Sequence, residues 1–510
     1  MSCQLQTREA IEETPLKIYM VAPTENVAAT AYDSNRRKPA GLPTCNATSI
    51  PPEVLAQIIG LCRDWAWDGY LDPLPYASVC RHWRNIILTS PALWTTIQSH
   101  SSDHRASHDV SLRLQRSHNL PLSISLQDYS LSSDSLSSDS SLLAAVALQH
   151  RRWKDATLYL SQEALLAFLA LNQPEAWSFN KLESFTLEVG SPYDLRRRDG
   201  QPEAMPVLLE HGCMFPADMF TNAPKLRRLH LENQTIRASD FPWSQLTSLE
   251  LTRVSESEAT SIQDVLQQCT SLEELFLDPW DFKADRVDLK KVVSLPSLNS
   301  LRFGSLKDGI TAYRAQDPEI ETPGLLASLR VPALKFLSVH GTGQTMWDAC
   351  ICIKASNSPP IVALCVEDYA LPDSPSGFAP HILALLKMLP LLSSLSIEFS
   401  EEYEEKKRWR RGNLELPMDQ LLTRLTDQKL DVCPVLRDVT LTNARPSCET
   451  PRLLIEFLES RVLTKPVRLR RMEIGMCAEG MGFGEICDEG QRKRVEKLGS
   501  GMRGFRLRMD

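Results

Sequence analysis

Apolar residues near the start of the chain recur at the spacing of an α-helix. The stretch SVCRHWRNIILTSPALW, at residues 78–94, sets its apolar residues at intervals of three or four, which is the spacing of one helical stripe. Pro91 ends this helix, because the residue before a proline is pushed out of the helical conformation. The stripe comprises Tyr76, Val79, Cys80, Trp83 and Ile87. So much apolar surface on a short helix indicates either the edge of a large core or half of an interface.

A second short helix is predicted upstream, in IPPEVLAQIIGLC at residues 50–62. Pro51 and Pro52 suit a first helical turn, where no backbone N–H is needed. Glu53 follows, where the helix dipole favours an acidic side chain. Its apolar stripe comprises Val54, Leu55, Ile58, Ile59 and Cys62. A block of about 50 residues in short helices buries too little surface to be strongly stable alone, so part of this surface is expected to contact another protein or the rest of the chain.

A different apolar pattern recurs from about residue 150 onward, in which an anchor residue is followed by apolar positions three and five residues later. This alternation predicts strands, and helix-like segments such as TPRLLIEFLES (450–460) lie between the copies. A strand followed by a helix, repeated, predicts an α/β solenoid, with an ordinary α/β sheet as the alternative. The clearest copies are LRRLHL (226–231), LTSLEL (246–251), LEELFL (272–277), LNSLRF (298–303), LKFLSV (334–339), IVALCV (361–366), LSSLSI (392–397) and LRDVTL (436–441).

This L-x-x-L-x-L pattern resembles the leucine-rich-repeat family over residues 150–480. The sequence departs from that family in two ways. Its anchors are unevenly spaced, and the Asn or Cys expected eight residues after each anchor is missing. Those positions hold Gln234, Val254, Trp280, Leu306 and Thr342. The resemblance therefore implies an irregular leucine-rich-repeat-like solenoid.

The helical block resembles a second family. The motifs I-P-P-E-V-L-x-x-I-I, V-C-R-x-W and a closing L-W look like an F-box over residues 48–98. In that family the block docks on the Skp-type adaptor of a cullin–RING (SCF-type) ubiquitin ligase, and the following domain, often leucine-rich, holds the substrate. The layout is similar to that of F-box proteins in mushroom-forming fungi. The adaptor-binding residues that the resemblance implies are Ile50, Pro51, Pro52, Val54, Leu55, Ile58, Ile59, Val79, Cys80, Trp83 and Trp94.

Some of these residues are expected to form the internal core of the block instead, and the pattern alone does not sort them. The link between the two helices, RDWAWDGYLDPLP at residues 63–75, is longer than the family's usual link. It carries Trp65 and Trp67, which add aromatic surface for docking or for packing on a neighbouring domain.

The predicted strands also indicate a substrate surface. In a solenoid, the residues two, four and six positions after each anchor line the concave face. Acidic residues outnumber arginines there, which predicts a protein partner with a basic surface and Phe276 as its anchor. The predicted substrate-binding residues are Arg228, Glu232, Glu250, Glu274, Phe276, Asp278 and Arg302.

Composition assigns the remaining segments. Residues 1–47 have little periodicity and are predicted to be disordered. Residues 99–149 are predicted to be a linker, and within them DYSLSSDSLSSDSSL (128–142) reads as a low-complexity Ser/Asp loop. Residues 481–510 are predicted to be a basic, flexible tail.

The chemistry expected of the chain is binding. A net charge of −8 argues against nucleic-acid partners, and no stretch is apolar enough to span a membrane. No secretory signal opens the sequence, so we expect a cytoplasmic and/or nuclear protein with reduced cysteines. Cys350, Cys352 and Cys365 have no nearby histidine and make a poor zinc pattern. The alternation in CICIK (350–354) instead predicts a buried strand.

No catalytic, cofactor or metal motif is present, so we expect no enzyme. The sequence predicts the substrate-recognition subunit of an SCF-type ubiquitin ligase, with the F-box on the Skp-type adaptor and the repeat domain on a protein substrate. The alternative is an interaction scaffold of the same architecture without ubiquitin transfer. An enzyme with a site assembled from repeat loops is a third reading that only the length of the chain favours.

Overall fold

The structure is a computed structural model of the chain, which divides into two compact units, Met1–Pro51 and Pro52–Asp510. All elements given below belong to the second unit. The described residues are 50–63, 73–100, 106–128, 136–170, 177–190, 219–232, 234–252, 255–256, 262–278, 288, 290–304, 324–340, 343–369, 380–399, 417–427, 432–444, 449–462, 469–476, 487–500, 502 and 504–508. The predicted disorder of residues 1–47 and the Trp65–Trp67 segment lie outside the described residues.

The central feature is a 14-stranded sheet in which every neighbouring pair of strands is parallel. Its strands follow one another in chain order, as in a solenoid. They are β1 (Thr96–His100), β2 (Leu122–Asp128), β3 (Trp153–Ser161), β4 (Ser184–Gly190), β5 (Arg228–Glu232), β7 (Ser248–Thr252), β9 (Glu274–Leu277), β11 (Ser300–Phe303), β13 (Phe336–His340), β14 (Ala363–Tyr369), β15 (Ser394–Phe399), β16 (Asp438–Ala444), β17 (Arg471–Met476) and β18 (Gly504–Arg508). Two small parallel pairs flank it, β6 (Thr235–Ile236) with β8 (Ser255–Glu256) and β10 (Val293–Ser294) with β12 (Leu329–Arg330).

Helices precede the sheet and connect many of its strands. The α-helices are α1 (Pro52–Arg63), α2 (Leu74–Ala77), α3 (Arg81–Thr89), α4 (Ala106–Arg116), α5 (Leu136–Ala147), α6 (Gln162–Ala170), α7 (Ile262–Gln268), α8 (Gly343–Ala355), α9 (Pro380–Lys387), α10 (Pro417–Thr426), α11 (Thr450–Val462) and α12 (Glu489–Ser500). Short 3₁₀ helices are Pro91–Trp94, His150–Arg152, Trp243–Gln245 and Leu325–Ser328. None of the helices among the described residues has the length and apolarity needed to cross a bilayer.

The L-x-x-L-x-L pattern explains the sheet. In LTSLEL, Leu246, Leu249 and Leu251 are buried, while Ser248 and Glu250 lie on the opposite face of the strand. The same positions pair from strand to strand, so that Leu249 stands between Leu229 and Leu275. Each buried leucine contributes about 1.5–3 kcal/mol, and the repeat stacks these contributions in one continuous row. The predicted α/β architecture, with a large parallel sheet and helices, is confirmed.

The sheet extends beyond the range that the sequence indicated. Residues 99–149, predicted to be a linker, contain the end of β1, the helices α4 and α5, and the strand β2. The Ser/Asp segment, predicted to be a loop, enters α5 at Leu136. The predicted flexible tail at 481–510 contains α12 and β18, and β18 pairs with β17 as the last strand of the sheet. These three predictions are wrong, because segments with the composition of a loop or a tail form helices and strands next to the rest of the sheet.

The predicted strand at CICIK is also wrong. Cys350 and Cys352 are buried as expected, but they lie in the helix α8. A short apolar run fits both the period of a strand and a helix buried on several sides, and length decides between them. The helix continues over Gly343–Ala355, which is too long for the predicted strand.

Gly304 closes β11 and has a conformation that other residues rarely adopt, with φ at +148°. A Cβ placed there would lie 2.7 Å from the Cβ of His340. Gly304→Ala is therefore expected to lower the free energy of unfolding by about 1–3 kcal/mol. Urea unfolding followed by circular dichroism measures this, with Gly60→Ala as the control. Gly60 lies in α1 with no atom near its added Cβ, so alanine there should be neutral or stabilising. Equal effects at the two glycines would contradict the prediction.

Candidate interaction surfaces

The helical block at residues 52–94 has its own small core. The helices α1, α2 and α3 and the 3₁₀ helix Pro91–Trp94 pack together and enclose it. These residues do not belong to the large apolar cluster that runs beneath the sheet. The core comprises Leu55, Ile59, Ala77, Ile86, Ile87 and Trp94.

A second side of α1, about a third of a turn around the helix from Leu55 and Ile59, presents apolar side chains to solvent. Val54 is 43% exposed, Ile58 42% and Leu61 63%. Their spacing of four and then three residues puts them on one helical face, which we call the α1 stripe. Near it in the chain, Val79 is 57% exposed, and Leu88 of α3 is exposed as well. Clustered exposed apolar side chains on a short block are typical of a surface that binds a protein.

The structure sorts the residues that the F-box resemblance implied. Pro51, Pro52, Val54, Ile58 and Val79 are exposed and available for a partner. Ile50, Cys80 and Trp83 are half-buried. Leu55, Ile59 and Trp94 are buried in the core of the block and present no surface.

The sequence reading missed Leu61 and Leu88, which are exposed apolar residues of α1 and α3. Leu61 follows Ile58 by three residues and continues the same stripe, so helical spacing alone pointed to it.

Trp94 connects the block to the first helix of the sheet domain. Its indole Nε1 donates a hydrogen bond to the carbonyl of Ile87 over 2.8 Å. The guanidinium carbon of Arg116 lies 4.4 Å from the Trp94 ring centroid, and that of Arg113 lies 5.9 Å away. Arg113 in turn donates to the carbonyl of Thr96 at the start of β1. Trp94 is therefore a structural residue held between the block and α4.

The start of α3 is capped by a thiol. The Cys80 sulfur accepts a hydrogen bond from the backbone N–H of Trp83 at 3.5 Å. Arg84 donates through Nε to the carbonyl of Ala77 and ties α3 back to α2. The bonds of Cys80 and Arg84 therefore fix the turn between α2 and α3, and the side chain of Val79 in this turn is exposed to solvent.

The second surface is the polar face of the sheet, formed by the outward residues of the strands. Arg228, Glu274 and Arg302 are exposed on it, and Glu232, Glu250 and Phe276 are half-buried. These six predicted residues lie where the alternation placed them.

Asp278 does not line the polar face. It is 6% exposed, and its backbone N–H donates to the carbonyl of Leu251 at the end of β7. The strand β9 has already ended at Leu277, so the alternation no longer governs the direction of the next side chain. The prediction for Asp278 is therefore wrong.

Acidic residues meet on one part of the polar face. Glu188 of β4 stands directly opposite Glu232 of β5. Burial raises the pKa of the nearby Tyr159 hydroxyl, and the charges of Glu188 and Glu232 raise it further. The Nε2 atom of His230 lies 3.8 Å from Oε1 of Glu250, and the Nη2 atom of Arg228 lies 3.4 Å from Oδ1 of Asp155. This part of the face, which we call its negative part, therefore brings several carboxylates close together beside the guanidinium of Arg228.

The two cysteines Cys350 and Cys352 are buried thiols of α8. Burial raises the pKa of the Cys350 thiol to about 11 and that of Cys352 to about 12. Such thiols stay protonated and unreactive at neutral pH. In the described ranges, no three histidine, cysteine or acidic side chains come together as a metal site.

The chain was compared with protein-family models, curated proteins and solved structures. No protein-family model matches the sequence, and no curated protein matches it. Among solved structures, the chain is similar to the crystal structure of a TLR13–ssRNA13 complex, with a TM-score of 0.33 and 14% identity. The match covers 79% of this chain and 47% of that one, so the chain spans about half the length of the structure it matches.

Proposed function

We propose that the protein is a substrate-recognition subunit of an SCF-type ubiquitin ligase. The observation that carries the proposal is the two-sided helix α1. Leu55 and Ile59 hold it in a local core, while Val54, Ile58 and Leu61 remain exposed on its other side. A helix that buries one apolar stripe and exposes another fits a docking element, and its sequence resembles an F-box.

In this function the chain catalyses nothing itself. The α1 stripe and Val79 bind the Skp-type adaptor, and through it a cullin, while the polar face of the sheet binds a protein substrate. Holding both partners raises the effective concentration of the substrate near the ubiquitin-carrying enzyme. The negative part of the polar face favours a substrate with basic character. The proposed location is the cytoplasm and/or the nucleus, without nucleic-acid or membrane partners.

Adaptor binding is tested with the full chain and a purified Skp-type adaptor by isothermal titration calorimetry. Ile58→Asp and Val79→Asp are each expected to weaken binding by about tenfold or more, because each places a charge in an apolar contact. Both side chains are exposed, so the fold should tolerate the changes. Leu148→Asp is the matched control, since Leu148 is 71% exposed and lies outside the helical block.

Wild-type chain that does not bind the adaptor would overturn the proposal. A reconstituted ligase then separates a receptor from a scaffold. Ubiquitin chains that form on the bound protein or its substrate support the receptor function. Adaptor binding without any ubiquitin transfer supports the scaffold.

A further inference from the structure

The middle of the sheet carries an arginine between two aromatic rings. Phe276 of β9 and Arg302 of β11 stand directly opposite each other on the polar face. The guanidinium carbon of Arg302 lies 5.5 Å from the ring centroid of Phe336 on β13. These strands stand near the centre of the sheet order. We call Glu250, Phe276, Arg302 and Phe336 the central patch.

The charge of Arg302 is not neutralised within the part of the chain that the structure describes. Arg302 is exposed, and no described carboxylate forms an ion pair with it. Glu274, exposed on the neighbouring strand, does not pair with it either, since the guanidinium leans over Phe336 instead. Elsewhere on the same face arginines do pair, as Arg471 does with Glu473 at 2.8 Å.

Stacking on Phe336 prepares Arg302 for a partner. A guanidinium held over a ring has fewer conformations to lose on binding, and its planar fork matches a carboxylate in a bidentate pair. Arginine and aromatic residues near the middle of a surface are also the residue types that most often dominate binding energy.

We infer that the central patch binds a segment of the partner protein in which an acidic side chain follows or precedes a basic one at a distance of three residues. The acid pairs with Arg302, the basic residue pairs with Glu250, and an apolar side chain between them covers Phe276. This inference rests on the proposed function, because it treats the polar face as the substrate surface, and it names the substrate chemistry of that face.

The spacing follows from the sheet. Glu250, Phe276 and Arg302 occupy consecutive paired positions on β7, β9 and β11. Strands are about 4.8 Å apart, so Glu250 and Arg302 are separated by about 10 Å along this row. A peptide in the polyproline II conformation advances about 3.1 Å per residue and completes a turn in about three residues, so two side chains three residues apart lie on one side of it at about this distance. The partner therefore needs an acidic residue and a basic residue three positions apart, with an apolar residue between them.

A random heptapeptide phage library, panned on the full chain and on the Arg302→Glu variant, tests the inference. Wild type is expected to enrich peptides with Asp or Glu three residues from Lys or Arg. The Arg302→Glu variant is expected to enrich a basic residue at the acidic position. A synthetic peptide selected on the wild-type chain should bind the Arg302→Glu and Phe276→Ala variants about tenfold or more weakly than it binds wild type.

Arg506→Glu is the matched control. Arg506 is exposed and occupies the same row of the polar face, on the terminal strand β18. It should change peptide affinity by less than about twofold, because a charge this far away is screened. Unchanged unfolding of each variant by circular dichroism confirms that the fold is retained.

No enrichment on wild type, or the same peptides on wild type and Arg302→Glu, would overturn the inference. Adaptor affinity, measured on the same variants, separates this outcome from failure of the proposed function. Arg302→Glu should bind the adaptor as wild type does. If the chain selects the expected peptides but does not bind the adaptor, the inference about the central patch holds and only the proposed ligase function is rejected.

Discussion

Trp94→Ala will destabilise the helical block by about 3–5 kcal/mol, the usual cost of removing a fully buried tryptophan. Trp94 is completely buried, and its indole N–H is bonded to the Ile87 carbonyl. Alanine leaves a cavity, an Ile87 carbonyl that keeps only the longer bond from the Ser90 N–H, and two arginine side chains without the ring they stack on. Adaptor binding will fall with it, because the α1 stripe depends on the core of the block.

Trp94→Phe distinguishes this structural role from direct contact with the adaptor. Phenylalanine keeps most of the ring and loses the N–H, so it should cost about 1–3 kcal/mol. The variant should still bind the adaptor with an affinity close to that of wild type. Reduced affinity in a phenylalanine variant that retains its stability would mean that Trp94 contacts the adaptor, as the sequence resemblance implied.

Hydrogen–deuterium exchange of the peptides covering residues 81–116 is the appropriate measurement for both variants. A solenoid opens in parts, so one global unfolding energy would not isolate the block. Faster exchange in α3 and α4 after Trp94→Ala is expected, with unchanged exchange near β15 and β16. Adding Arg116→Ala to Trp94→Ala should cost less than Arg116→Ala alone, since the two side chains share one contact.

The position of Trp94 also shows what the sequence could predict and where it stopped. Trp94, Ile97 and Ser99 follow the spacing of an anchor with positions three and five residues later, and all three are buried. The tryptophan thus occupies the anchor position of β1. The F-box resemblance assigns it to an interface, because clear copies of the repeat begin only after residue 150.

The last strand, β18, also follows the anchor spacing of the repeat. MRGFRL at residues 502–507 repeats the anchor spacing, with Met502 buried and Phe505 packed against the core. Its arginines and glycines made the segment look like a solvated tail. Composition therefore indicates a tail where the spacing of apolar residues indicates a strand. A terminal strand pairs with a neighbour on one side only and so tolerates more polar residues.

The apolar pattern of α1 does not predict which side of the helix is buried. Leu55 with Ile59 and Val54 with Ile58 have the same spacing and nearly the same chemistry. The contacts of α1 with α3 and with Pro91–Trp94 decide between them, and those contacts join positions far apart in the chain. In the same way, the pairing of Phe276 with Arg302 depends on strand register, which spacing within each repeat could only suggest.

Arg461→Met will cost about 3 kcal/mol or more, although it removes a single charged side chain from the last turn of a helix. Arg461 lies in α11 and is 2% exposed. Its guanidinium donates to the carbonyls of Cys433, Leu425 and Val432 over 2.8–2.9 Å. Methionine fills much of the same space but removes these donors from three buried carbonyls, of which, among the described residues, only that of Cys433 keeps another donor, the N–H of Leu436. Each carbonyl left unsatisfied costs about 1–3 kcal/mol.

These three carbonyls explain why an arginine is needed at this position. Leu425 lies in the last turn of α10, where backbone carbonyls have no partner within the helix. Cys433 has a φ of +50°, so the chain turns sharply there before β16. One planar guanidinium reaches both places, whereas a lysine amine is a single point donor and should restore only part of the stability.

Arg452→Met provides the matched control, because Arg452 lies in the same helix and differs mainly in exposure. It is 55% exposed and forms ion pairs with Glu449 and Glu456 on the surface. Such surface pairs contribute about 0.2–1 kcal/mol. Urea unfolding, with hydrogen exchange of residues 417–444, compares the two variants. A cost for Arg461→Met no greater than that for Arg452→Met would show that the buried guanidinium is dispensable. The expected difference means instead that one buried side chain joins α10, α11 and the entry to β16.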